Sequence, residues 1–244
     1  TPPAGLNGAH IGQPVGRRKP RFAPALLTWK KGHGSDWTNR SRKDGPDMSR
    51  PVLHFWFEFA STYSYLSAMR VEAAAEDAGA DLVWHPFFLG PIFASMGWTT
   101  SPFNLYPAKG AYMWRDMERL CAARDLPLTR PDPFPQNSIL AARTALLALR
   151  TPQGPAFCKA VYRAEFAKGL AISDAGVLRD CLARCDLPET LIDEAATPEA
   201  KQALKDSVEQ ATALGIFGAP SFIANGELYW GDDRLDHALA HLTG

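Results

Sequence analysis

Hydrophobic positions change their period abruptly at Pro51. "VLHFWFEF" (52–59) is β-branched and aromatic, and apolar at nearly every position. A run apolar on both faces predicts a central strand covered by helices on each side. "STYSYLSAMRVEAAAEDAGA" (61–80) then takes up helical spacing, with Ser61 or Thr62 near the N-cap and Gly79 near the end. "DLVWHPFFLG" (81–90) predicts a second strand stopped by Pro86. Strand, helix, strand in that order predicts a right-handed parallel crossover.

Residues 91 to about 214 differ in kind, being helical stretches punctuated by Pro and Gly. "NSILAARTALLALR" begins on a good cap, and "GPAFCKAVYRAEFAKG" puts Phe157, Val161 and Phe166 on roughly one stripe. "SDAGVLRDCLARC" offers Asp174 as a cap, with Val177, Leu178, Cys181 and Leu182 facing inward. In "TPEAKQALKDSVEQATALG", Thr197 caps, Pro198 takes the first helical position, and Ala200, Leu204, Val208, Ala211 and Leu214 form a stripe that stops at Gly215. "PSFIA", "NG" and "ELYW" then predict a β-hairpin, and "DDRLDHALAHLTG" a closing helix. The order βαβ, helical block, ββα predicts an α/β fold. It is a thioredoxin-like domain over 51–90 and 206–244, with an inserted all-helical domain over 91–205.

Residues 1–50 show no sustained period and are rich in Gly, Pro, Arg and Lys, which predicts a disordered basic extension. Met48, just before "SRPVLHFWFEF", is the expected biological start. The alternative is a basic arm for nucleic acid or a membrane surface, although a dense basic run is missing. Charge sharpens this division. The net charge of the 244 residues is zero, yet the first fifty carry ten Lys/Arg against three Asp/Glu and the remainder sixteen against twenty-three. A mildly acidic folded part argues against nucleic acid as its main partner. No apolar run reaches the roughly 18 residues of a membrane span, and no secretory h-region is seen. Cys121, Cys158, Cys181 and Cys185 are scattered, with no C-x-x-C. They read as apolar core residues in a reducing cytoplasm rather than as metal or redox ligands, and no metal is expected.

Three places carry candidate chemistry. Ser61 lies where the first strand hands over to a helix, so its hydroxyl and nearby amides can face one anion, a thiolate among them. An ordinary Ser N-cap explains the same residue. A hydrolytic serine does not: there is no G-x-S-x-G elbow, and His54, His85, His237 and His241 show no arrangement that assigns a base. Pro220 opens a strand, where a missing N–H and a cis bond would leave the preceding backbone to a ligand, or where it is simply a strand-start proline. Asp232 and Asp233 begin the last helix, as caps or as partners for an ammonium group.

"FEFASTYSYL", "GIFGAPSF" and "WGDDRLD" together resemble the 2-hydroxychromene-2-carboxylate isomerases, a group similar to kappa-class glutathione transferases and more distantly to DsbA-like oxidoreductases. The resemblance spans about 51–244 and implies a thioredoxin domain with a helical insertion. It implies glutathione as cofactor, with Ser61 contacting the sulfur and stabilising the thiolate. Ala219 and Pro220 would meet the cysteinyl unit, and Gly231, Asp232 and Asp233 the γ-glutamyl end. Lys109 resembles a basic residue near glutathione or an acidic substrate, and Asn104 and Asn137 are candidate substrate contacts. "S-T-Y-S" stands where the redox C-x-x-C of related oxidoreductases stands, which removes dithiol–disulfide exchange by that route.

Two departures stand out. Thr62 replaces the family's Pro, loosening the turn or adding a hydroxyl. Glu58 replaces a common Asp, as a buried acid tuning the site or as a paired residue at the strand end.

The expected partners are glutathione and a small aromatic-derived acid, in a homodimer, with no nucleic acid and no membrane. The expected function is a glutathione-dependent isomerase in aromatic catabolism. The alternatives are a kappa-like transferase or peroxidase, and a non-catalytic thioredoxin-fold binding module.

Overall fold

The computed structural model describes residues 50–244, so the extension read over 1–50 and the Met48 start lie outside the described residues, Arg50 apart. Strand β1 (Val52–Phe57) pairs in parallel with β2 (Asp81–Pro86), Phe55 opposite Trp84. The link between them is helical, α1 (Thr62–Ala68) and α2 (Val71–Asp77), as the crossover requires. The single helix expected over 61–80 is broken at Met69–Arg70. Arg70 leaves helical geometry with φ −126° and ψ −16°. Its guanidinium reaches the Asp232 carbonyl at 3.2 Å and the Asp236 carboxylate at 2.9 Å. The tie to the C-terminal segment overrides local helix propensity.

The block that follows contains α3 (Gly90–Ser95), α4 (Pro102–Leu105), α5 (Pro107–Ala123), α6 (Ile139–Ala148), α7 (Gly154–Tyr162), α8 (Ala175–Ala183), α9 (Leu191–Glu194) and α10 (Pro198–Ala213). Asp174 and Thr197 cap α8 and α10 by accepting from the Gly176 and Ala200 N–H groups at 2.7 and 3.3 Å. The stripe in 154–169 steps by four from Phe157 to Val161, then by five to Phe166. A π-helical turn over Arg163–Ala167 absorbs that five-residue step, and all three side chains are buried. The boundary drawn at 205/206 falls inside α10, which runs unbroken to Gly215 (φ +75°).

Strands β3 (Ser221–Ala224) and β4 (Glu227–Trp230) form the predicted hairpin across Asn225 and Gly226, whose positive φ values of 49° and 82° match the Asn-Gly turn signal. A 3₁₀ turn over Asp232–Arg234 leads into α11 (Leu235–Thr243). Among the described residues the sheet order is β2-β1-β3-β4, with β1 antiparallel to β3.

Alternation along β1 builds two cores. Leu53, Phe55 and Phe57 face α1, α2, α11 and the helices α5 to α8. Trp56 faces the opposite side with Ile92, Ala211 and Ile216, under α3 and α10. Phe55 stacks on Phe222 at 5.4 Å, and Phe57, Phe59, Tyr162 and Tyr65 carry ring contacts from the sheet into the helices. The inserted helices and the sheet therefore share one core, and the strand-to-helix corner at Ser61 sits on its rim.

Candidate functional site

Glu58–Ala60 turn the chain out of β1 and deliver Ser61 to the start of α1. Ser61 has extended geometry (φ −95°, ψ 116°), and its Oγ accepts from the Ser64 N–H at 3.2 Å, the bond of an N-cap. The same hydroxyl donates to the Ala219 carbonyl at 3.0 Å, bringing together residues 158 positions apart. The Ala219–Pro220 peptide is cis, and Gly231 N–H donates to the Pro220 carbonyl at 3.0 Å. Ser61, Ala219, Pro220 and Gly231 thus lie along one continuous edge. Gly231 is held at φ +114°, and a Cβ there would lie 2.6 Å from Asp233 Oδ1, so the position requires glycine.

A serine hydroxyl has one proton. Here it is given to Ala219, and a ligand offering its own N–H to that carbonyl would release it. Ser61 is half-buried, so a ligand can reach it. The α1 helix ends after seven residues, so little macrodipole accumulates and the hydroxyl with its first-turn N–H groups supplies the local polarity. Thr62 neither loosens the cap nor adds a hydroxyl to the edge. It is buried, and its Oγ1 donates inward to Met113 Sδ at 3.3 Å. Ser64, at the other end of "S-T-Y-S", is also fully buried.

All four thiols are held in their protonated form more strongly than a free cysteine. Burial pushes Cys121 and Cys181 up to about 11 and raises Cys158 and Cys185 as well.

The two aspartates part company. Asp232 is only 4% exposed, and its carboxylate takes two bonds from Arg124 at 3.1 and 2.6 Å and one from Ser67 Oγ at 2.9 Å. Arg70 Nε stands 3.7 Å away. With its oxygens engaged by the protein's own donors, Asp232 fixes the turn. Asp233 is exposed and paired only loosely with Arg234 at 3.2 Å, so its carboxylate faces solvent beside Gly231. Arg124 and Ser67 were invisible as partners in the sequence, since 108 and 165 positions separate them from Asp232.

The three substrate candidates have other hydrogen-bond or ring partners. Asn104 Nδ2 donates to the Phe134 carbonyl at 3.0 Å. Asn137 Oδ1 accepts from Ile139 N–H at 3.1 Å, just ahead of α6. Lys109 is exposed on α5, its ammonium 5.5 Å from the Tyr106 ring. None hydrogen-bonds to the Ser61 edge.

Glu58 is both buried and paired. It accepts from Ser138 Oγ and from the Leu89 N–H at 2.8 Å, pinning three segments behind Ser61. Burial raises its carboxyl above the usual range, against the pull of those hydrogen bonds. Glu165, on the π turn, is fully buried, and neither carboxylate oxygen has a partner among the described residues. Burial first and the nearby Glu58 second push it well above its ordinary 4.5. A carboxyl raised in the fold is neutral, and harmless, below its unfolded value; its contribution is lost as pH climbs through the folded value. Glu165→Gln, which cannot ionise, is therefore expected to gain stability relative to the wild type as pH rises. Urea midpoints for both proteins at about pH 5 and pH 9 read this, and a constant difference would contradict it. The sequence hint was an acid lodged between two apolar stripe positions.

The family model of the DSBA-like thioredoxin domain matches residues 52–243. This chain belongs to that family. Within the DSBA-like family, it is 29% identical over 193 residues to a 2-hydroxychromene-2-carboxylate isomerase from Sphingobium xenophagum, covering 78% of this chain and 97% of that protein. It is 24% identical over 208 residues to the Homo sapiens glutathione S-transferase kappa 1, covering 79% and 91%. A solved 2-hydroxychromene-2-carboxylate isomerase superposes with a TM-score of 0.71 at 20% identity, covering 78% of this chain and 93% of the other. The isomerase resemblance and the thioredoxin-like fold with a helical insertion both hold. These relatives are isomerases and a kappa-class glutathione transferase by name. Among the described residues no helix is long and apolar enough to cross a membrane.

Proposed function

We propose that this chain is a glutathione-dependent isomerase of 2-hydroxychromene-2-carboxylate or a similar unsaturated aromatic-derived acid, working in the cytoplasm. The observation that carries the reading is the Ser61 hydroxyl, 3.0 Å from the Ala219 carbonyl, in a chain whose own thiols are all raised by burial. Names of relatives at 24–29% identity support it. Glutathione held along the Ser61 edge would supply a thiolate nucleophile for the conjugated C=C of such an acid, and an isomerisation would return it unchanged.

The protein's residues do the rest. Ala219 would accept the cysteinyl N–H, leaving the Ser61 proton for the sulfur. Asp233 would take the γ-glutamyl ammonium, on a turn that Asp232 and Arg124 hold in place. Ser61 then stabilises the anion in both its arrival and its departure, which is worth most where water is excluded.

A kappa-like transferase uses the same edge but releases the conjugate, and the human kappa relative favours keeping it as the second reading. Product analysis decides between them. The isomerase leaves total free glutathione constant over many turnovers, whereas the transferase consumes it mole for mole with substrate.

A further inference from the structure

The first turn of α1 packs on α5 through Thr62 on Met113 and through Tyr63, whose hydroxyl donates to Asp116 at 2.9 Å. The Tyr63 ring also lies 6.4 Å from Phe103. Phe103 is one wall of a cleft of about 360 Å³, lined with Asn104, Gly110, Ala111, Trp114 and Arg130. The cleft therefore begins one aromatic ring away from the Ser61 corner.

Its construction favours a flat ring. Gly110 brings α5 against α4 so closely that a Cβ would sit 2.2 Å from the Phe103 carbonyl, so this close approach requires glycine. Trp114 is held edge-on by Phe134 at 4.8 Å, and the Arg130 guanidinium lies 5.0 Å from the Trp114 ring centre. Arg130 forms no ion pair with any carboxylate of the described residues. Asp132 borders, with Arg130, the neighbouring cleft of about 510 Å³ without pairing with it. An exposed guanidinium stacked on an indole keeps its forked donors for a planar anion. One cation between apolar walls suits a monocarboxylate better than a phosphate, and a neutral ring would leave the guanidinium without its partner.

We propose that this cleft is the carboxylate-recognition subsite, with Arg130 binding the carboxylate of a planar aromatic acid whose ring lies between Phe103 and Trp114. This rests on an unsaturated aromatic acid being the substrate, and it adds the residue that selects for the acid. Arg130 was not singled out in the sequence, where it is one arginine in a Pro-rich loop; Asn104 was.

The test is calorimetric titration of the full chain, without glutathione, using 2-naphthoate and its neutral analogue 2-naphthamide. The wild type is expected to bind naphthoate roughly tenfold more tightly than naphthamide, and Arg130→Gln to bind the two alike. A preference that survives Arg130→Gln, or a wild type that binds neither, overturns the subsite. A parallel glutathione titration separates this from the function above. Naphthoate preference without glutathione uptake removes the glutathione reading and keeps the subsite, and the reverse pattern removes the subsite alone.

Discussion

Ser61→Ala is expected to lower turnover by roughly 10²–10³-fold, the usual effect of deleting one hydrogen-bond donor aimed at developing charge. The glutathione dissociation constant should move by no more than about a few-fold, because Ala219, Pro220 and the Gly231 turn remain. Loss of the cap bond from Ser64 N–H removes about 1 kcal/mol of stability, too little to unfold the chain. The separation matters. A serine that served only as a cap would lower the melting temperature and leave kcat of the residual folded enzyme intact. Steady-state kinetics of Ser61→Ala, with thermal unfolding on the same sample, distinguishes the two roles.

Asp232→Ala should be the most destabilising single change at the site, by about 3–5 kcal/mol. The carboxylate is 4% exposed and receives two bonds from Arg124 and one from Ser67. Removing it strands the half-buried Arg124 guanidinium, while Arg70 keeps its pairing with Asp236. A loss of that size is a large share of a typical 5–15 kcal/mol. The prediction has an internal check. The double change Asp232→Leu with Arg124→Met removes both charges, so it should lose clearly less than the two single changes added together. Chemical denaturation of the four proteins of that cycle measures the coupling, and strict additivity would contradict it.

The contrast between these two sites shows what the sequence could and could not convey. Ser61 was legible because its signal is local: an apolar strand, a capping residue and a helical period meet within ten positions. The Asn-Gly hairpin and the caps of α8 and α10 were legible for the same reason. The break between α1 and α2 was not, because its cause is Asp232 and Asp236, far along the chain. Asp232 read as a helix cap or an ammonium partner, since nothing near it in sequence reveals Arg124. Thr62 looked available for the same reason, and its true partner is Met113 on α5. Glu165 lay in plain view, but the π turn that buries it shows only as a five-residue step in a stripe. Short-range grammar gave the elements and one edge of the site. Long-range pairing decided which polar groups are spent and which are free.

The central claim is that Ser61 holds a sulfur brought by glutathione in its ionised form. Titrating the glutathione-bound protein with pH while following thiolate ultraviolet absorbance tests it most directly. The account predicts binding at millimolar glutathione or below, with the bound thiol ionising about one unit or more below the free thiol. Absence of binding, or an ionisation midpoint equal to that of free glutathione, would contradict it.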